Sequence, residues 1–489
     1  MISPIPWTVS EIREALELDP GASDSGARRT RIPELIFTGV SIDSRAIHAN
    51  GLFLALEGEK FDGHTFVADL VERGIKGFVV ATSFMLTLSK ALKELWDSKG
   101  CIFFPVENTL AALGALARYQ RIRANVKVVA ITGSNGKTST RKMTGEIFSR
   151  KFKTLTTEGN LNNEIGLPLT LLKLSNEHEW AVVEMGMNHK GEIKRLAKMA
   201  LPDIGVITNT AECHLEGLGS VENVAFAKAE LFSGMAFNGI VVLNHDDPRF
   251  EILLAAAESD NIKKILCFTR SDGNKNCVRA EAIIHTKNGT GFSLFSNTRE
   301  SCDVLLHTPA GFMVNNALAA ATAAIAAGIS LEIIKQGLGA FEPVPGRMHL
   351  VPGFKNTTLI DDTYNANPGS VKAALETLSM VSGSAGTVAI LGDMLELGER
   401  SPELHREIGR IAAGSGISRL YVYGAMASHL IEGAVGAGFP VAMAMAGSRK
   451  EIAAAVMENT PENAWILVKG SRGMQLEKIV KELESTHPL

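Results

Sequence analysis

The sequence predicts an α/β protein with three domains. Its 489 residues, of which 45% are apolar and 21% charged, suffice for two to four domains that each bury a core. From Val126 onward, apolar runs of strand length alternate with helical patterns, as in parallel sheets covered by helices on both faces. We expect a small mixed α/β domain at residues 1–107, a central domain with a parallel sheet and a phosphate-binding loop at 108–344, and a Rossmann-like α/β domain at 345–489.

Short elements are predicted in the N-terminal domain. Thr8 and Glu11 have the spacing of a capping box, which predicts a helix that runs from there through Leu16. Residues 52–56 are continuously apolar and are expected to form a strand. Residues 108–121 have apolar side chains at helical spacing, so we expect a helix that leads into the central domain.

In the central and C-terminal domains, helical sequence follows each predicted strand. The central strands are expected at residues 126–131, 180–183, 204–207 and 240–243, followed by antiparallel strands between 280 and 307 and a helix at 315–327. A hinge is expected at Pro343 to Gly346, because prolines and a glycine interrupt the pattern there. The C-terminal strands are expected at residues 358–360, 388–391, 420–422, 441–445 and 465–468.

The composition excludes several classes of protein. Lys and Arg (49) nearly balance Asp and Glu (53), so the chain lacks the overall positive charge that holds a nucleic-acid backbone. The five cysteines are scattered without a CxxC pair, which argues against a disulfide framework or a structural zinc and favours a reducing compartment. The longest apolar stretch, residues 317–329, is shorter than the ~20 residues of a membrane span, and the N-terminus lacks a signal-peptide pattern. We expect a cytoplasmic protein that binds no nucleic acid.

The strongest single signal is a phosphate-binding loop, GSNGKT, between a predicted strand and a predicted helix. Glycines let backbone N–H groups converge on phosphate oxygens, Lys137 can reach the outer phosphates, and Thr138 can ligate magnesium. The longer form GxxxxGK[ST] is absent, because Ile131 stands five residues before Gly136. The residues expected to bind the nucleotide here are Gly133, Ser134, Asn135, Gly136, Lys137, Thr138 and Ser139. The loop alone does not decide the class of protein, since motors, switches, kinases and ligases all use such loops.

Further blocks in a fixed order narrow this choice. They are TEGNLNNEIGLP (157–168), VEMGM (183–187), ITN (207–209), CHLEG (213–217), AKAE (227–230), PGR (345–347), IDDTYNANP (360–368), LGDMLELG (391–398) and KGSRGM (469–474). In this order they resemble the Mur ligase superfamily, from about Val40 to Met474. The blocks DDTYNANP, LGDMLELG and KGSR are most similar to the branch that adds D-alanyl-D-alanine to a UDP-linked muramoyl tripeptide.

The resemblance implies an ATP-dependent amide ligase of peptidoglycan precursor synthesis. In such enzymes a substrate carboxylate attacks the γ-phosphate of ATP, and an amine then displaces phosphate from the acyl phosphate to form a peptide bond. Because the first step brings anions together, it needs clustered cations. The implied partners are UDP-N-acetylmuramoyl-tripeptide and D-alanyl-D-alanine, with ATP and two Mg²⁺ ions as cofactors, and the chain is expected to be a monomer.

Four residues are predicted to form the metal site. Glu184 ends a buried strand, where a carboxylate ligand for the magnesium on Thr138 would project, although a solvated strand-end carboxylate fits the pattern too. The resemblance implies that His214 ligates a second ion and that CO₂ carbamylates Lys228, which turns a cation into a carboxylate-like ligand. From the residues alone, Lys228 suits an ordinary surface lysine. Lys137, His214 and Lys228 are the predicted catalytic residues.

The resemblance also implies contacts with ATP and substrate. Asn316 is expected to contact adenine, Arg347 to reach the γ-phosphate when the domains close, and Asp362 to bind ribose or the neighbouring domain. Phe312 departs from the family pattern, because relatives usually carry histidine there. The predicted substrate contacts are Ser44, Arg45, Asn160, Asn163, Tyr364, Asn365, Asn367, Lys469 and Arg472. Arg45 suits a diphosphate, and Lys469 with Arg472 suits a carboxylate, although a surface arginine and a solvated basic turn explain the same residues.

Several alternatives remain at this point. A ligase that adds the third peptide residue is closest, but its DNPR-type signature is absent and DDTYNANP stands in its place. Folate polyglutamylation is disfavoured, since such enzymes lack the N-terminal domain with the DSR segment. A catalytically silent nucleotide-binding scaffold would have lost a catalytic residue, yet all of those predicted are present. A nucleic-acid motor would need basic runs interleaved with aromatic residues.

Overall fold

The computed structural model describes residues 3–19, 35–58, 61–271, 275–287, 289–382 and 385–485. In these ranges the chain folds into α/β units, and a mainly parallel sheet lies within each of the three predicted domains. Every helix in these ranges is too short or too polar to reach across a lipid bilayer.

The N-terminal unit is built from short strands and helices. Its elements are β1 (Trp7–Thr8), α1 (Val9–Ala15), β2 (Ile36–Phe37), β3 (Gly39–Ser41), β4 (Gly51–Leu54), β5 (Glu57–Gly58), β6 (Phe61–Asp62), α2 (Val67–Glu72), β7 (Gly77–Ala81), α3 (Thr82–Thr87), α4 (Lys90–Ser98) and β8 (Ile102–Val106). Strands β3, β4, β7 and β8 form a parallel sheet in that order, and β4 and β7 are buried throughout. The predicted capping box is confirmed: the Thr8 hydroxyl accepts a hydrogen bond from Glu11 N–H, and the Glu11 carboxylate accepts one from Thr8 N–H.

The central unit follows the predicted alternation of strands and helices. Its elements are α5 (Thr109–Arg123), β9 (Lys127–Thr132), α6 (Lys137–Ser149), β10 (Thr154–Thr156), α7 (Gly166–Leu171), β11 (Trp180–Glu184), α8 (Glu192–Ala200), β12 (Ile204–Ile207), α9 (Leu215–Leu218), α10 (Val221–Ala229), β13 (Ile240–Asn244), α11 (Phe250–Ser259), β14 (Lys264–Thr269), β15 (Val278–Thr286), β16 (Gly289–Phe295), β17 (Ser301–Leu306), α12 (Met313–Ala326) and α13 (Leu331–Gly339). The connecting helix α5 begins where predicted, because the Asn108 side chain accepts a hydrogen bond from Ala111 N–H at 2.9 Å.

The strand order of the central sheet positions the phosphate-binding loop. The order is β10-β11-β9-β12-β13-β14-β15-β16-β17, parallel from β10 to β15 and antiparallel across the last two pairs. After β9, the chain adds β10 and β11 on one side and then β12 on the other, so β9 ends at a topological switch point. Ligands of such sheets bind at the carboxyl ends of the strands beside this point. The register places Glu184 beside Ile131, and Ile207 beside Thr132, at this same edge.

The central unit contains a disulfide, although the scattered cysteines argued against disulfide bonding in the sequence. Strand β14 was not predicted from the sequence, and it pairs with β15 so that Phe268 lies beside Val278. Cys267 and Cys277 each precede one of these residues, which brings their Cα atoms to 4.7 Å and their sulfurs into a bond. Cys101, Cys213 and Cys302 are free. The scattered arrangement of the cysteines was the ground for a reducing compartment, and this disulfide removes that support.

The C-terminal unit repeats the α/β alternation. Its elements are β18 (His349–Pro352), β19 (Thr358–Asp362), α14 (Pro368–Ser382), β20 (Thr387–Gly392), α15 (Ser401–Gly414), β21 (Arg419–Tyr423), α16 (Ala427–Gly436), β22 (Ala444–Ala446), α17 (Arg449–Asn459), β23 (Trp465–Lys469) and α18 (Glu477–Leu483). The sheet order is β18-β19-β23-β20-β21-β22, and β18 alone among these strands pairs antiparallel. The predicted strand at 441–445 is wrong in its first half, because Val441–Met443 form a 3-10 turn after Pro440 and β22 begins at Ala444.

Candidate active site

A cavity of about 480 Å³ lies between the central and C-terminal units. The central unit contributes the phosphate-binding loop and the ends of β11 and β12, and the C-terminal unit contributes the segments that follow the hinge and β19. The predicted site residues that line the cavity are Ser134, Asn135, Gly136, Lys137, Ser139, Asn163, Glu184, His214, Asn316, Arg347, Asp362, Tyr364, Asn365, Asn367 and Lys469. Residues that are widely separated in the sequence therefore meet in one place.

The phosphate-binding loop needs glycine at its last turn. Gly136 has φ +82° at the N-terminus of α6, and a Cβ there would lie 2.1 Å from Asn316 Oδ1. A Cβ on Gly133 would lie 1.8 Å from Thr208 Oγ1. Neither position has room for a side chain, so the backbone of the loop can come close to a ligand at the helix N-terminus. The buried Thr138 and Ser139 follow in the first turn of α6.

The loop is held by residues that follow β12. Asn209 accepts hydrogen bonds from Ser134 N–H (backbone oxygen, 2.9 Å) and from Asn135 N–H (Oδ1, 3.0 Å). Thr208 Oγ1 donates to the backbone oxygen of Asn135 at 2.6 Å. The ITN block is visible in the sequence, but no role was predicted for Thr208 or Asn209, because their contact with the loop depends on the pairing of β12 with β9.

Glu184 is buried at the end of β11 with one oxygen left without a hydrogen bond. The residue is 2% exposed, and Oε1 accepts a hydrogen bond from Asn162 Nδ2 at 2.8 Å. Oε2 lies 3.5 Å from Arg141 Nε without hydrogen-bond geometry. A buried carboxylate oxygen normally has a partner, so Oε2 is available to a cation in the cavity. Asn162 and Arg141 were not predicted, although Asn162 lies between the two predicted asparagines of its block.

Cationic side chains surround this carboxylate. Lys137 Nζ donates to the backbone oxygens of Gly133 at 2.7 Å and Ser134 at 3.4 Å. Burial lowers the pKa of Lys137 and of Arg141, and the charge of Glu184 opposes both shifts. The positive charge of Arg347 lowers both pKa values further, so Arg347 lies close enough to interact electrostatically with Lys137 and Arg141. These charges suit a polyanionic ligand.

Lys228 is buried rather than a surface lysine. It is 1% exposed in α10, although it is absent from the cavity lining. Burial lowers its pKa to about 8; the thiol of Cys213 and the carboxylate of Asp247 oppose this shift, and the charge of Lys137 adds to it. Asp247 is already engaged, since it accepts a hydrogen bond from Thr210 Oγ1 at 2.6 Å. A substantial fraction of the Lys228 amine is therefore neutral at slightly alkaline pH.

Contacts between the two units complete the cavity. His214 Nδ1 lies 2.6 Å from Glu396 Oε2, and Asn367 Nδ2 donates to Asn135 Oδ1 at 2.7 Å. The His214 hydrogen bond holds the pKa of Glu396 below its ordinary value. Within the C-terminal unit, the guanidinium of Arg347 lies 4.2 Å from the centre of the Tyr364 ring, which stabilises its position beside the phosphate-binding loop.

Comparison with known proteins identifies the family. The sequence matches the family models for the Mur ligase family catalytic domain at residues 36–121, the Mur ligase middle domain at 131–324, and the Mur ligase glutamate ligase domain at 346–472. The UDP-N-acetylmuramoyl-tripeptide–D-alanyl-D-alanine ligase of Escherichia coli is 37% identical over 453 residues, which cover 92% of this chain and 94% of that protein. The chain belongs to the Mur ligase family.

Solved structures of Mur ligases share the whole fold. MurF from Acinetobacter baumannii superposes with a TM-score of 0.85 at 31% identity and covers 99% of both chains. MurF ligase from Thermotoga maritima, solved in complex with ADP, gives a TM-score of 0.78 at 25% identity and covers 91% of this chain and 96% of its own. The predicted three-domain α/β fold and the family resemblance are confirmed.

The cavity of this Mur ligase fits a magnesium nucleotide. Glu184 offers a carboxylate oxygen that makes no hydrogen bond, and the loop offers the glycine cradle that phosphates need. In the described ranges there is no cluster of three or more His, Cys, Asp and Glu side chains arranged to hold a metal. Magnesium suits such a site, because it is commonly held by one or two carboxylates together with substrate phosphates and water.

Some predicted residues have partners inside the protein. Lys469 is 2% exposed and donates to Asp362 Oδ2 at 2.5 Å and to the backbone oxygen of Asn365 at 2.9 Å. Asp362 also accepts a hydrogen bond from Met348 N–H, so it ties β19 to the segment after the hinge. Asn163 Oδ1 accepts from Gly166 N–H at 2.9 Å and caps a turn. Asn316 is buried against the loop, and Phe312 lines the cavity beside it.

Other predicted residues lie away from the cavity. Ser44 and Arg45 belong to the N-terminal unit, where the Arg45 side chain is 88% exposed and forms an ion pair with Asp43 at 2.8 Å. That guanidinium lowers the pKa of Asp43 to about 2. Asn160 is exposed, and Arg472 pairs with Glu477 at 3.3 Å; neither lines the cavity. The roles predicted for these residues stay predictions.

Proposed function

We propose that this Mur ligase joins D-alanyl-D-alanine to the terminal carboxyl group of a UDP-N-acetylmuramoyl tripeptide at the expense of ATP. The observation that carries the proposal is the meeting, in one cavity between two domains, of the phosphate-binding loop, Arg347 and the Glu184 oxygen that makes no hydrogen bond. The relative from Escherichia coli, whose name describes this reaction, is 37% identical over nearly its whole length.

The first step activates the tripeptide carboxylate. Its oxygen attacks the γ-phosphorus of ATP, the bond to ADP breaks, and an acyl phosphate forms. Lys137 and Arg347 would neutralise the charge that gathers on the transferred phosphoryl group, because both cations face the loop. The glycine cradle around Gly136 would align the triphosphate for this attack.

The second step forms the peptide bond. The amine nitrogen of D-alanyl-D-alanine attacks the acyl carbon, a tetrahedral intermediate collapses, and inorganic phosphate leaves with one oxygen of the original carboxylate. The amine loses a proton to a base or to water. The position of the cavity between two domains supports this part of the proposal, since closure of the domains would exclude water from the reactive acyl phosphate.

The metal assignments belong to this proposal. Thr138 and Glu184 would hold one Mg²⁺, and His214 with carbamylated Lys228 would hold a second. When bound, the ions would supply Lewis-acid charge to the phosphates and the acyl oxygen. The environment of Lys228 supports carbamylation, because a neutral amine is the form that attacks CO₂, and a pKa of about 8 makes that form accessible near neutral pH. The resulting carbamate removes an uncompensated buried cation.

The remaining assignments are part of the same proposal. They comprise the domain boundaries 1–107, 108–344 and 345–489, UDP binding by Ser44 and Arg45, peptide or nucleotide binding by Asn160, Asn163, Tyr364, Asn365, Asn367, Lys469 and Arg472, and ATP binding by Asn316, Arg347 and Asp362. A cytoplasmic location is included because ATP and nucleotide-linked precursors are cytoplasmic metabolites. The proposal also includes a monomeric state for this protein.

A substrate-dependence assay tests the activity. Phosphate release from ATP is measured with the UDP-muramoyl tripeptide, with D-alanyl-D-alanine, and with both, and the product is identified by mass spectrometry. We expect turnover only with both substrates and a product extended by two alanines. Turnover with a UDP-muramoyl dipeptide and a single amino acid would instead support the ligase that adds the third residue. Hydrolysis that ignores both substrates, or no turnover, would contradict a ligase.

A further inference from the structure

A contact between two units of the fold links His214 to Glu396, residues 182 positions apart. The ring nitrogen Nδ1 of His214 lies 2.6 Å from Glu396 Oε2, and Glu216 N–H donates to the backbone oxygen of Glu396 at 3.3 Å. Glu396 belongs to the LGDMLELG block, for which sequence analysis predicted no individual role. The contact therefore combines a side-chain and a backbone interaction at one point of the interface.

Both partners adopt an unusual backbone conformation. His214 has φ +52° and Glu396 has φ +63°, the left-handed region that residues with a Cβ rarely adopt. Such strain persists where the surrounding structure requires it, and it clusters at functional sites. An ordinary surface ion pair between flexible side chains would not need two strained residues to face each other.

We propose that Glu396 is a positioning residue for His214, which rests on the proposed role of His214 as a metal ligand. By accepting a hydrogen bond from Nδ1–H, the Glu396 carboxylate fixes the tautomer of the ring and leaves the lone pair of Nε2 for the ion. Histidine ligands in metal sites commonly donate their other N–H to a carboxylate in this way. Here the carboxylate comes from a different domain, so His214 is oriented only when the C-terminal domain is docked.

A neighbouring ion pair provides a matched control. Arg400 Nη1 lies 3.1 Å from Glu212 Oε1, so this pair crosses the same interface without contacting His214. Removal of the Arg400 side chain deletes an ion pair of the interface but leaves the hydrogen bond on the imidazole in place. If the two variants acted only by loosening the interface, loss of Glu396 and loss of Arg400 would have the same effect on His214. If Glu396 positions His214, only loss of Glu396 changes the imidazole.

The test compares Glu396→Ala, Glu396→Gln and Arg400→Ala in the full-length protein. The His214 tautomer is measured by nitrogen-15 NMR without metal or nucleotide, with the resonance assigned from a His214→Gln variant. We expect Nδ1–H in the wild type and in Arg400→Ala, a mixture of tautomers in Glu396→Ala, and an intermediate result in Glu396→Gln, which keeps an acceptor oxygen. Wild-type protein with the proton on Nε2, or Glu396→Ala with unchanged tautomer, would overturn the proposal.

Metal affinity gives a second readout. Binding of Mn²⁺ in the presence of a non-hydrolysable ATP analogue is followed by electron paramagnetic resonance. We expect Glu396→Ala to weaken the second ion by about 10–100-fold, the usual effect of losing such a partner, and Arg400→Ala to change it less than about twofold. Tighter binding in Glu396→Ala would mean that Glu396 competes with the metal, and would refute positioning. The tautomer needs no turnover, so failure of the ligase assay with an intact tautomer pattern would count against the proposed function alone.

Discussion

The two sides of the cavity are built differently. On the central side, the loop around Gly136, the carboxylate of Glu184 and the asparagine that follows β12 are held together by the pairing of neighbouring strands in one sheet. On the C-terminal side, Arg347 lines the cavity and Glu396 contacts His214 only because a second domain is packed against the first. From this difference we infer that the nucleotide site is preformed within the central domain, whereas catalysis depends on how the two domains are docked.

The largest effect is expected at Lys228, on the central side. Lys228→Ala removes the proposed carbamate, and kcat should fall by about 10²–10³-fold, the usual cost of losing one electrostatic stabiliser. Steady-state phosphate release measures this. Added formate or acetate should restore part of the activity, because a small carboxylate can occupy the vacated site. Full activity of the Lys228 variant would show that Lys228 has no part in the mechanism. The control is Lys142→Ala, which removes a lysine that donates a hydrogen bond to the backbone oxygen of Glu342.

The carbamate can also be detected without turnover. Because burial lowers the Lys228 pKa to about 8, the neutral amine grows about tenfold per pH unit below that value and levels off above it. At a fixed concentration of dissolved ¹³CO₂, the carbamate signal in carbon-13 NMR should therefore rise between pH 6 and pH 8. No such signal, or a signal that persists in Lys228→Ala, would contradict the assignment.

A smaller effect is expected from Gly136→Ala, which tests preformation of the loop. The new Cβ would meet Asn316 Oδ1 at 2.1 Å in a backbone with φ +82°, so ATP should bind about 10–100-fold more weakly. Isothermal titration calorimetry with an ATP analogue measures this. Gly328→Ala is the matched control, because Gly328 has φ +72° with no atom within 4 Å of the new Cβ. Equal affinity of the Gly136 variant and wild type would show that the loop adapts to a side chain.

A weaker effect is expected on the C-terminal side from Tyr364→Leu. The change removes the ring beneath Arg347, and a cation–π contact of this kind corresponds to about 3–10-fold in kcat/KM for ATP. Tyr364→Phe keeps the ring and should stay within about twofold of wild type. If both variants lost the same activity, the hydroxyl group rather than the ring would be responsible.

The smallest effect on activity is expected far from both sides, at Thr8→Ala. The change removes the side-chain half of the capping box of α1 and should lower the free energy of unfolding by about 1 kcal/mol. Urea denaturation followed by circular dichroism measures this, with Thr8→Ser as the control that keeps the hydroxyl. Ligase activity at 25 °C should be unchanged. A loss of activity in the alanine variant would mean that the N-terminal unit affects catalysis through its stability.

The sequence predicted features that depend on local pattern. The phosphate-binding loop follows from a strand, two glycines and a helix that are adjacent in the chain, and Glu184 follows because parallel strands end at one edge of a sheet. The alternation of apolar runs likewise placed four of the nine strands of the central sheet, β9, β11, β12 and β13, within one or two residues.

Features that depend on register or domain packing escaped prediction. The disulfide between Cys267 and Cys277 follows from the pairing of β14 with β15, and β14 itself was not predicted. The TEGNLNNEIGLP block contains several asparagines, and its composition does not show which of them contacts Glu184. In the structure, Asn162 makes this contact. The contact of His214 with Glu396 spans 182 residues, so no local spacing encodes it.

Oxygen tracing tests the central claim most directly. The terminal carboxyl group of the UDP-muramoyl tripeptide is labelled with ¹⁸O, and the inorganic phosphate released during ligation is examined by mass spectrometry. An acyl phosphate requires that one labelled oxygen per turnover appear in the phosphate, because the bond between carbon and that oxygen breaks when the amine attacks. Unlabelled phosphate released together with ligated product would contradict activation of the carboxylate by ATP.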